Sequence, residues 1–402
     1  MRDSDRDAIQ PQPGGRWLCL GRSRKVAAGK RILLVVGEAS GDLHGAHLAR
    51  ALRAKDPTVE IAAVAGEGLK REGVTVIYDV ARIAGMGVTE LAGNLANLRR
   101  AYALLKSALR EKPSLLILID FPEFNMRLAR AAKKLQVPVL YYISPQVWAW
   151  RKYRIRKIAR CVDRMAVVLP FEAPLYRDAG VKVEFVGHPL LDVARATRSR
   201  EETLARLGLD PSRRTIALLP GSRRREVDYH LPVMLQAAEV LSRELELQFV
   251  LIRASTVDPD VVRQNVSRAS VPVTVSAGDT YNALQACDLA WTASGTATLE
   301  TALMLRPMII VYTLAPVTYV LSRFLVKVDH IGLPNIIAGE RVVPELVQRE
   351  MTAERIAAES KAILGDRELR ERMAAKLTEI RARLGAPGAA ARVADIALAM
   401  MN

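Results

Sequence analysis

Aromatic residues make up only 5% of the 402-residue sequence, cysteine occurs three times, and long uncharged stretches are missing. Cys19, Cys161 and Cys287 are odd in number, far apart and without C-x-x-C spacing. That excludes a disulfide framework and a cysteine zinc site, and it fits a reducing cytoplasm. The longest uncharged run, residues 307–322, is broken by Pro316 and falls short of the roughly 20 residues a membrane-spanning helix needs. The first 30 residues mix acids and bases around Pro11, Pro13, Gly14 and Gly15, with only a short apolar patch at 17–20. They lack a signal-peptide core and are expected to form a flexible extension.

What is present is the composition of a globular protein, 50% hydrophobic and 25% charged, in a chain long enough for two domains. The formal charge is +16, and it is unevenly spread. Residues 99–160 carry 15 Lys or Arg against Glu111, Asp120 and Glu123, a local +12. Such a stretch is either a solvated basic face or the contact surface for an anionic partner, nucleic acid or acidic lipid headgroups.

Short apolar runs alternate with longer amphipathic stretches, at 31–36, 59–64, 115–119, 137–143 and 165–169. The rhythm restarts at 215–219, 248–252, 271–275, 289–292 and 308–312. This pattern predicts α/β architecture, two Rossmann-like doubly wound domains facing across a cleft. The expected division is an extension over 1–30, a first domain over 31–195 and a second over 196–402. Residues 187–210 would form the linker, and helices from Thr352 onward would close the second domain. Leu91, Leu95, Leu98, Tyr102, Leu105 and Leu109 form one helical stripe, facing the core or left partly open toward acyl chains or a bilayer.

Five segments carry candidate chemistry. Gly37-Glu38-Ala39-Ser40-Gly41-Asp42 follows the first strand, where glycine permits close backbone approach and Ser40 or Asp42 can cap the next helix. His44 and His47 follow at helical spacing; packed or surface histidines suit them better than a metal pair, because no third ligand accompanies them. Asp120 ends the apolar run 115–119 at the carboxyl edge of a sheet. There it has either a raised pKa and a general-base role or a capping role, while Glu123 and Asn125 look structural.

Gly221-Ser222-Arg223 and Ser294-Gly295-Thr296 are strand-to-helix turns in the second half, with backbone N–H groups and an arginine suited to a diphosphate. Glu300, one turn further on, is placed to accept hydrogen bonds from ribose hydroxyls. Ser144 to Trp150 sets Trp148 and Trp150 beside a run of Lys and Arg, residue types shared by bilayer interfaces, sugar platforms, single-stranded nucleic-acid sites and ordinary buried packing.

Taken together these residues resemble the lipid-A-disaccharide synthase family. The resemblance runs through GEASGD, GMGVTEL, the segment from Asp120 to Asn125, SPQVWAW, FVGHPL, LLPGSR with Glu226, ASGTATLE and the LPN segment at 333–339. It covers nearly everything from Arg31 to about Gln348, and the extension before Arg31 falls outside it. It implies the two-Rossmann GT-B fold of an inverting glycosyltransferase. The implied reaction moves 2,3-diacylglucosamine from its UDP derivative to the 6-hydroxyl of 2,3-diacylglucosamine 1-phosphate, giving a β-1,6-linked disaccharide and UDP.

By the same resemblance Asp120 matches an essential acid, proposed as general base, Arg223 an arginine near the diphosphate, and Asn335 an asparagine required for activity. UDP would be held by Gly221, Ser222, Ser294, Gly295, Thr296 and Glu300. The acceptor and the membrane would lie on the side of Glu38, Ser40, Gly41, Asp42, Trp148 and Trp150. No metal and no cofactor are implied, and no oligomeric state is specified. The partners would be lipid-linked sugars and the anionic inner leaflet, with the protein cytoplasmic and peripheral and the basic face explained without nucleic acid. Two alternatives stand beside this: a UDP-sugar 2-epimerase or other GT-B enzyme on a soluble UDP-sugar, and a basic nucleic-acid-binding protein, which lacks any recognised binding module.

Overall fold

A computed structural model describes residues 29–81, 91–147, 154–313 and 329–402. The stretch 1–28, most of GMGVTEL, and Trp148 and Trp150 lie outside the described residues. Two sheets form, and every pairing described in them is parallel. The first contains β1 (Arg31–Val35), β2 (Glu60–Ala65), β3 (Thr75–Asp79), β4 (Leu115–Ile119), β5 (Val139–Tyr142), β6 (Arg164–Val167) and β7 (Lys182–Phe185), in the order β3-β2-β1-β4-β5-β6-β7. The second contains β8 (Arg214–Leu219), β9 (Leu247–Arg253), β10 (Val273–Ala277), β11 (Leu289–Ala293), β12 (Met308–Tyr312) and β13 (Glu345–Val347), in the order β10-β9-β8-β11-β12-β13.

All ten apolar runs become strands; nine are central, where parallel strands are covered on both faces and need continuous apolar sequence, and the tenth, β10, lies at an edge and is only partly buried. β4 is buried throughout, and β1 and β8 are buried beyond their first residue. The sequence pattern does not foretell β3, β7 and β13. Each lies at a sheet edge, is only partly buried and therefore carries polar residues such as Lys182 and Glu184.

Both sheets reverse direction once, between β1 and β4 and between β8 and β11. In open α/β sheets these switch points hold the ligand, outside the carboxyl ends of the strands. Each of the four strands flanking them ends in one of the candidate turns: Glu38 after β1, Asp120 after β4, Gly221 to Arg223 after β8, and Ser294 to Thr296 after β11.

Helix Leu91–Arg110 buries Ala101, Leu105 and Leu109 and packs Leu98 and Tyr102 against the core, whereas Leu95 stays 47% exposed. Helices Ala353–Gly365 and Arg367–Arg383 pack against the second half. The final helix, Ala389–Met401, does not: it packs on Ala39–Lys55 of the first half, with Val393, Ala394 and Ala397 buried and Lys55 paired to Asp395 at 2.7 Å. Two hydrogen bonds hold the return crossing beside the outward one, His188 N–H to Leu384 O at 2.9 Å and Gly388 N–H to Asp192 Oδ1 at 2.5 Å. Alanine-rich amphipathic sequence states that a helix forms but not which sheet receives its apolar face.

Asp42 corrects a second expectation. It does not cap its own helix, Ala39–Lys55, but lies inside the first turn, 6% exposed. Its carboxylate accepts from the backbone N–H groups of Gly66 (2.7 Å), Gly68 (2.7 Å) and Leu69 (3.2 Å), satisfying the N-terminus of the short helix Glu67–Arg71. Removing a charged acceptor from three buried or half-buried donors costs about 2–4 kcal/mol. Asp42→Ala is therefore expected to lower unfolding stability by that amount in urea titration, while an unchanged midpoint would mean water replaces the carboxylate without loss.

Candidate active site

The first wall of the site is built by a strained turn. Asp120 and Phe121 both adopt left-handed backbone, φ 48° and 52°. Neither is glycine, so the conformation costs about 1–2 kcal/mol per residue and must be held by its surroundings. Three contacts hold it. Asn125 Nδ2 donates to Ile119 O (3.2 Å) and Asp120 O (2.6 Å), and the Tyr141 hydroxyl donates to Asp120 O (2.6 Å). Phe121 stacks on Phe124, with ring centroids 5.1 Å apart and planes 25° apart. Finally, Phe121 lies over Gly37, where a Cβ atom would come within 2.2 Å of the ring. Gly37 thus lets the turns after β1 and β4 meet.

The result is a partly buried carboxyl, Asp120, near the carboxylate of Glu38. Burial first, and then the charge of Glu38, push the Asp120 pKa up to about 6, while the Phe121 N–H and the Arg223 guanidinium draw it back. Arg223 comes from the other half of the molecule: its Nη2 donates to Glu38 Oε1 at 3.3 Å and Oε2 at 3.5 Å. One acid of each first-half turn and the arginine of a second-half turn therefore share one electrostatic neighbourhood.

The second wall is formed by the ends of β8 and β11. Gly221 has φ 129°, and a Cβ there would lie 2.4 Å from Glu226 Cβ, so only glycine fits. Glu226 folds back from the first turn of helix Arg224–Ser242 to accept from Ser222 N–H (2.8 Å) and Arg223 N–H (3.2 Å). His230, on the same helix, ties this turn to the end of β12. Its Nε2 accepts from Thr313 N–H at 3.1 Å, so Nδ1 carries the proton and donates to Pro220 O at 2.8 Å. Burial holds its pKa below the usual histidine value, which keeps the ring neutral as this bridge requires.

At the end of β11, Gly295 and Thr296 are exposed, whereas the Ser294 hydroxyl donates to Ile331 O at 2.9 Å. Glu300 accepts from the Tyr281 hydroxyl at 2.9 Å, and burial raises its pKa against that hydrogen bond. Glu300 and Tyr281 line a cavity of about 360 Å³ together with Arg253, Asp279 and, from the linker, Arg195 and Thr197. This volume falls within the range of small-molecule sites, roughly 300–1,000 Å³. The sequence pointed to Glu300 alone here. Tyr281, Arg253 and Thr197 arrive from three separate elements, and His230 acts on backbone, so no spacing rule marks them.

Asn335, expected among the catalytic residues, stands apart. It is 0% exposed and uses its whole hydrogen-bonding capacity internally. Nδ2 donates to Val343 O (2.9 Å) and Glu345 Oε1 (2.8 Å), and Oδ1 accepts from Val342 N–H (2.8 Å) and Val343 N–H (3.0 Å). Glu345 in turn accepts from Ile331 and Gly332 N–H at 3.0 and 2.9 Å. Asn335 thus anchors the segment that receives Ser294, and it does not reach the cleft. Gly41 is buried and Ser40 is exposed on the turn after Glu38. Among the described residues, no group of three or more His, Cys, Asp or Glu is placed to hold a metal ion, and no helix is long and apolar enough to cross a membrane. His44 is half-buried, and desolvation first, then the nearby His47, lower its pKa to about 4.

Residues 32–394 match the family described as lipid-A-disaccharide synthetase. The chain belongs to that family. It is an enzyme, a glycosyltransferase of lipid A biosynthesis. It is 50% identical over 376 residues to the lipid-A-disaccharide synthase of Syntrophus aciditrophicus, covering 93% of this chain and 98% of that one. Two solved structures share the fold at low identity. The UDP-GlcNAc 2-epimerase of Neisseria meningitidis bound to UDP-GlcNAc has TM-score 0.64 at 14% identity, over 92% of this chain and 100% of that one. The glycotransferase of kitacinnamycin has TM-score 0.60 at 13% identity, over 94% and 100%. The epimerase likeness is one of fold alone, whereas the family match runs through the motif residues themselves.

Glu38 raises the pKa of Asp120, so neutralising it acts in the opposite direction. Glu38→Gln is expected to lower the pKa of Asp120 and so move the acidic limb of the kcat/KM profile for glycosyl transfer to lower pH, and a limb that stays in place would remove Glu38 from the electrostatics of Asp120.

Proposed function

We propose that Asp120 is the general base and Arg223 the leaving-group cation in the joining of 2,3-diacylglucosamine, delivered as its UDP derivative, to the 6-hydroxyl of 2,3-diacylglucosamine 1-phosphate. The observation that carries this assignment is a half-buried carboxyl with pKa about 6, fixed at one switch point and facing the arginine of the other. At neutral pH it is ionised yet basic enough to accept a proton. It takes the hydroxyl proton as the oxygen attacks the anomeric carbon and the bond to the UDP oxygen breaks. A single displacement inverts that carbon and yields the β-1,6 linkage.

Negative charge develops on the departing diphosphate. Arg223 and the N–H groups of Gly295 and Thr296, at the start of helix Thr296–Leu303, provide donors for it. The cavity beside Glu300 and Tyr281 would receive the nucleoside, with Glu300 accepting from ribose hydroxyls. The basic first half would hold the enzyme peripherally on the anionic inner face of the cytoplasmic membrane. Support comes from the exposed Leu95 and Leu104, each with an exposed arginine, Arg99 and Arg100 respectively, one turn away.

Purified enzyme in detergent micelles is expected to release UDP from the diacyl donor only when the acceptor is present, with a disaccharide as product. UDP release indifferent to the acceptor would rule the transfer reaction out. Asp120→Asn is expected to lower kcat by about 10²- to 10⁴-fold with donor KM little changed. In the wild type, kcat/KM should fall with unit slope below about pH 6, as the base protonates.

A further inference from the structure

A second cavity, of about 170 Å³, opens in the first half next to the base. Pro122, two residues after Asp120, forms part of its wall, with Pro145 and Val147 from the loop after β5. Met126, Val147 and Ile158 make an apolar floor, and all three are buried. Arg130, Arg154 and Lys157 supply cations to the lining, against a single acid, Glu123, which pairs with Arg154 at 2.5 Å. Arg130 makes no ion pair among the described residues. Neither Arg130 nor Lys157 is among the groups that hold the strained turn.

We infer that this cavity is the subsite for the anomeric phosphate of the acceptor, with the root of an acyl chain against its apolar floor. The inference rests on the reaction proposed above and names how that site selects its acceptor. Three features fit that occupant. Two guanidinium groups and an ammonium match a phosphate monoester, which takes several charge-assisted hydrogen bonds. A cavity of about 150 Å³ holds a benzene-sized group, so this one accommodates a headgroup and the first carbons of a chain but not a whole lipid. The distance also fits. Asp120 and Pro122 are separated by at most about 7 Å of chain, and one pyranose ring separates the 6-hydroxyl of the acceptor from its 1-phosphate. With the phosphate among the cations, the hydroxyl is directed back toward Asp120.

The consequence is that the phosphate orients the acceptor. The test compares kcat/KM for 2,3-diacylglucosamine 1-phosphate and for 2,3-diacylglucosamine lacking the phosphate, in the wild type and in the double variant Arg130→Gln, Lys157→Gln. Both side chains are exposed, and donor KM serves as the check on folding. The wild type is expected to prefer the phosphorylated acceptor, and the double variant to lose about 10- to 100-fold of that preference. Donor KM and the rate with the dephosphorylated acceptor should stay level.

An unchanged preference in the variant, equal losses on both acceptors, or a wild type indifferent to phosphate would each overturn the subsite. Weakened binding to phosphatidylglycerol vesicles with the preference intact would do the same, assigning the cations to the membrane surface. A wild type that turns over neither acceptor would overturn the reaction itself, a result separable from failure of the subsite.

Discussion

The contact between Phe121 and the bare backbone of Gly37 governs the geometry of the cleft. With a Cβ at position 37 the ring would be displaced, and the turn after β4 would have to withdraw from the turn after β1. The left-handed conformation of Asp120 and Phe121 is intrinsically unfavourable, and it persists because Asn125, Tyr141 and Phe124 over-determine it. That conformation turns the Asp120 carboxyl out of an otherwise apolar strand end and keeps it half-buried. Its raised pKa and its closeness to Glu38 both follow from the position of one ring.

The two halves meet here through a weak interaction. Arg223 and Glu38 are 69% and 46% exposed at their side chains, and an ion pair so open contributes about 0–1 kcal/mol. Weakness suits its position under the proposed reaction, in which a diphosphate entering the cleft would compete for the same guanidinium. The rigid connections lie elsewhere, in the paired crossings at His188 and Gly388 and in the final helix, which returns to pack on the first half. A cleft with its cover fixed at one end and loosely paired at the mouth admits ligands without loss of core packing.

Several polar residues of the motifs serve backbone instead of substrate. Asp42 satisfies three N–H groups of a neighbouring helix, Asn335 spends all its capacity on 342–345, and Glu226 occupies the amides of Ser222 and Arg223. Each meets the requirement that a buried polar group be paired, and each thereby shapes a turn that faces the cleft.

The sequence alone determined the two doubly wound sheets, because strands covered on both faces must be continuously apolar and that pattern is local. It also marked the strand ends where polar residues follow an apolar run, at Asp120, at Gly221 to Arg223 and at Ser294 to Thr296. The edge strands β3, β7 and β13 escaped notice because they bury too little to need such a pattern. Only the tertiary structure decided that Glu38 and Arg223 meet, that Asn335 and Asp42 turn inward, that His230 bridges two strand ends, and that the last helix crosses back. Those outcomes depend on which groups are left unpaired or uncovered once both sheets have packed, a property of contacts between residues far apart in the chain, as between Asp192 and Gly388 or between Lys55 and Asp395, and no local spacing encodes it.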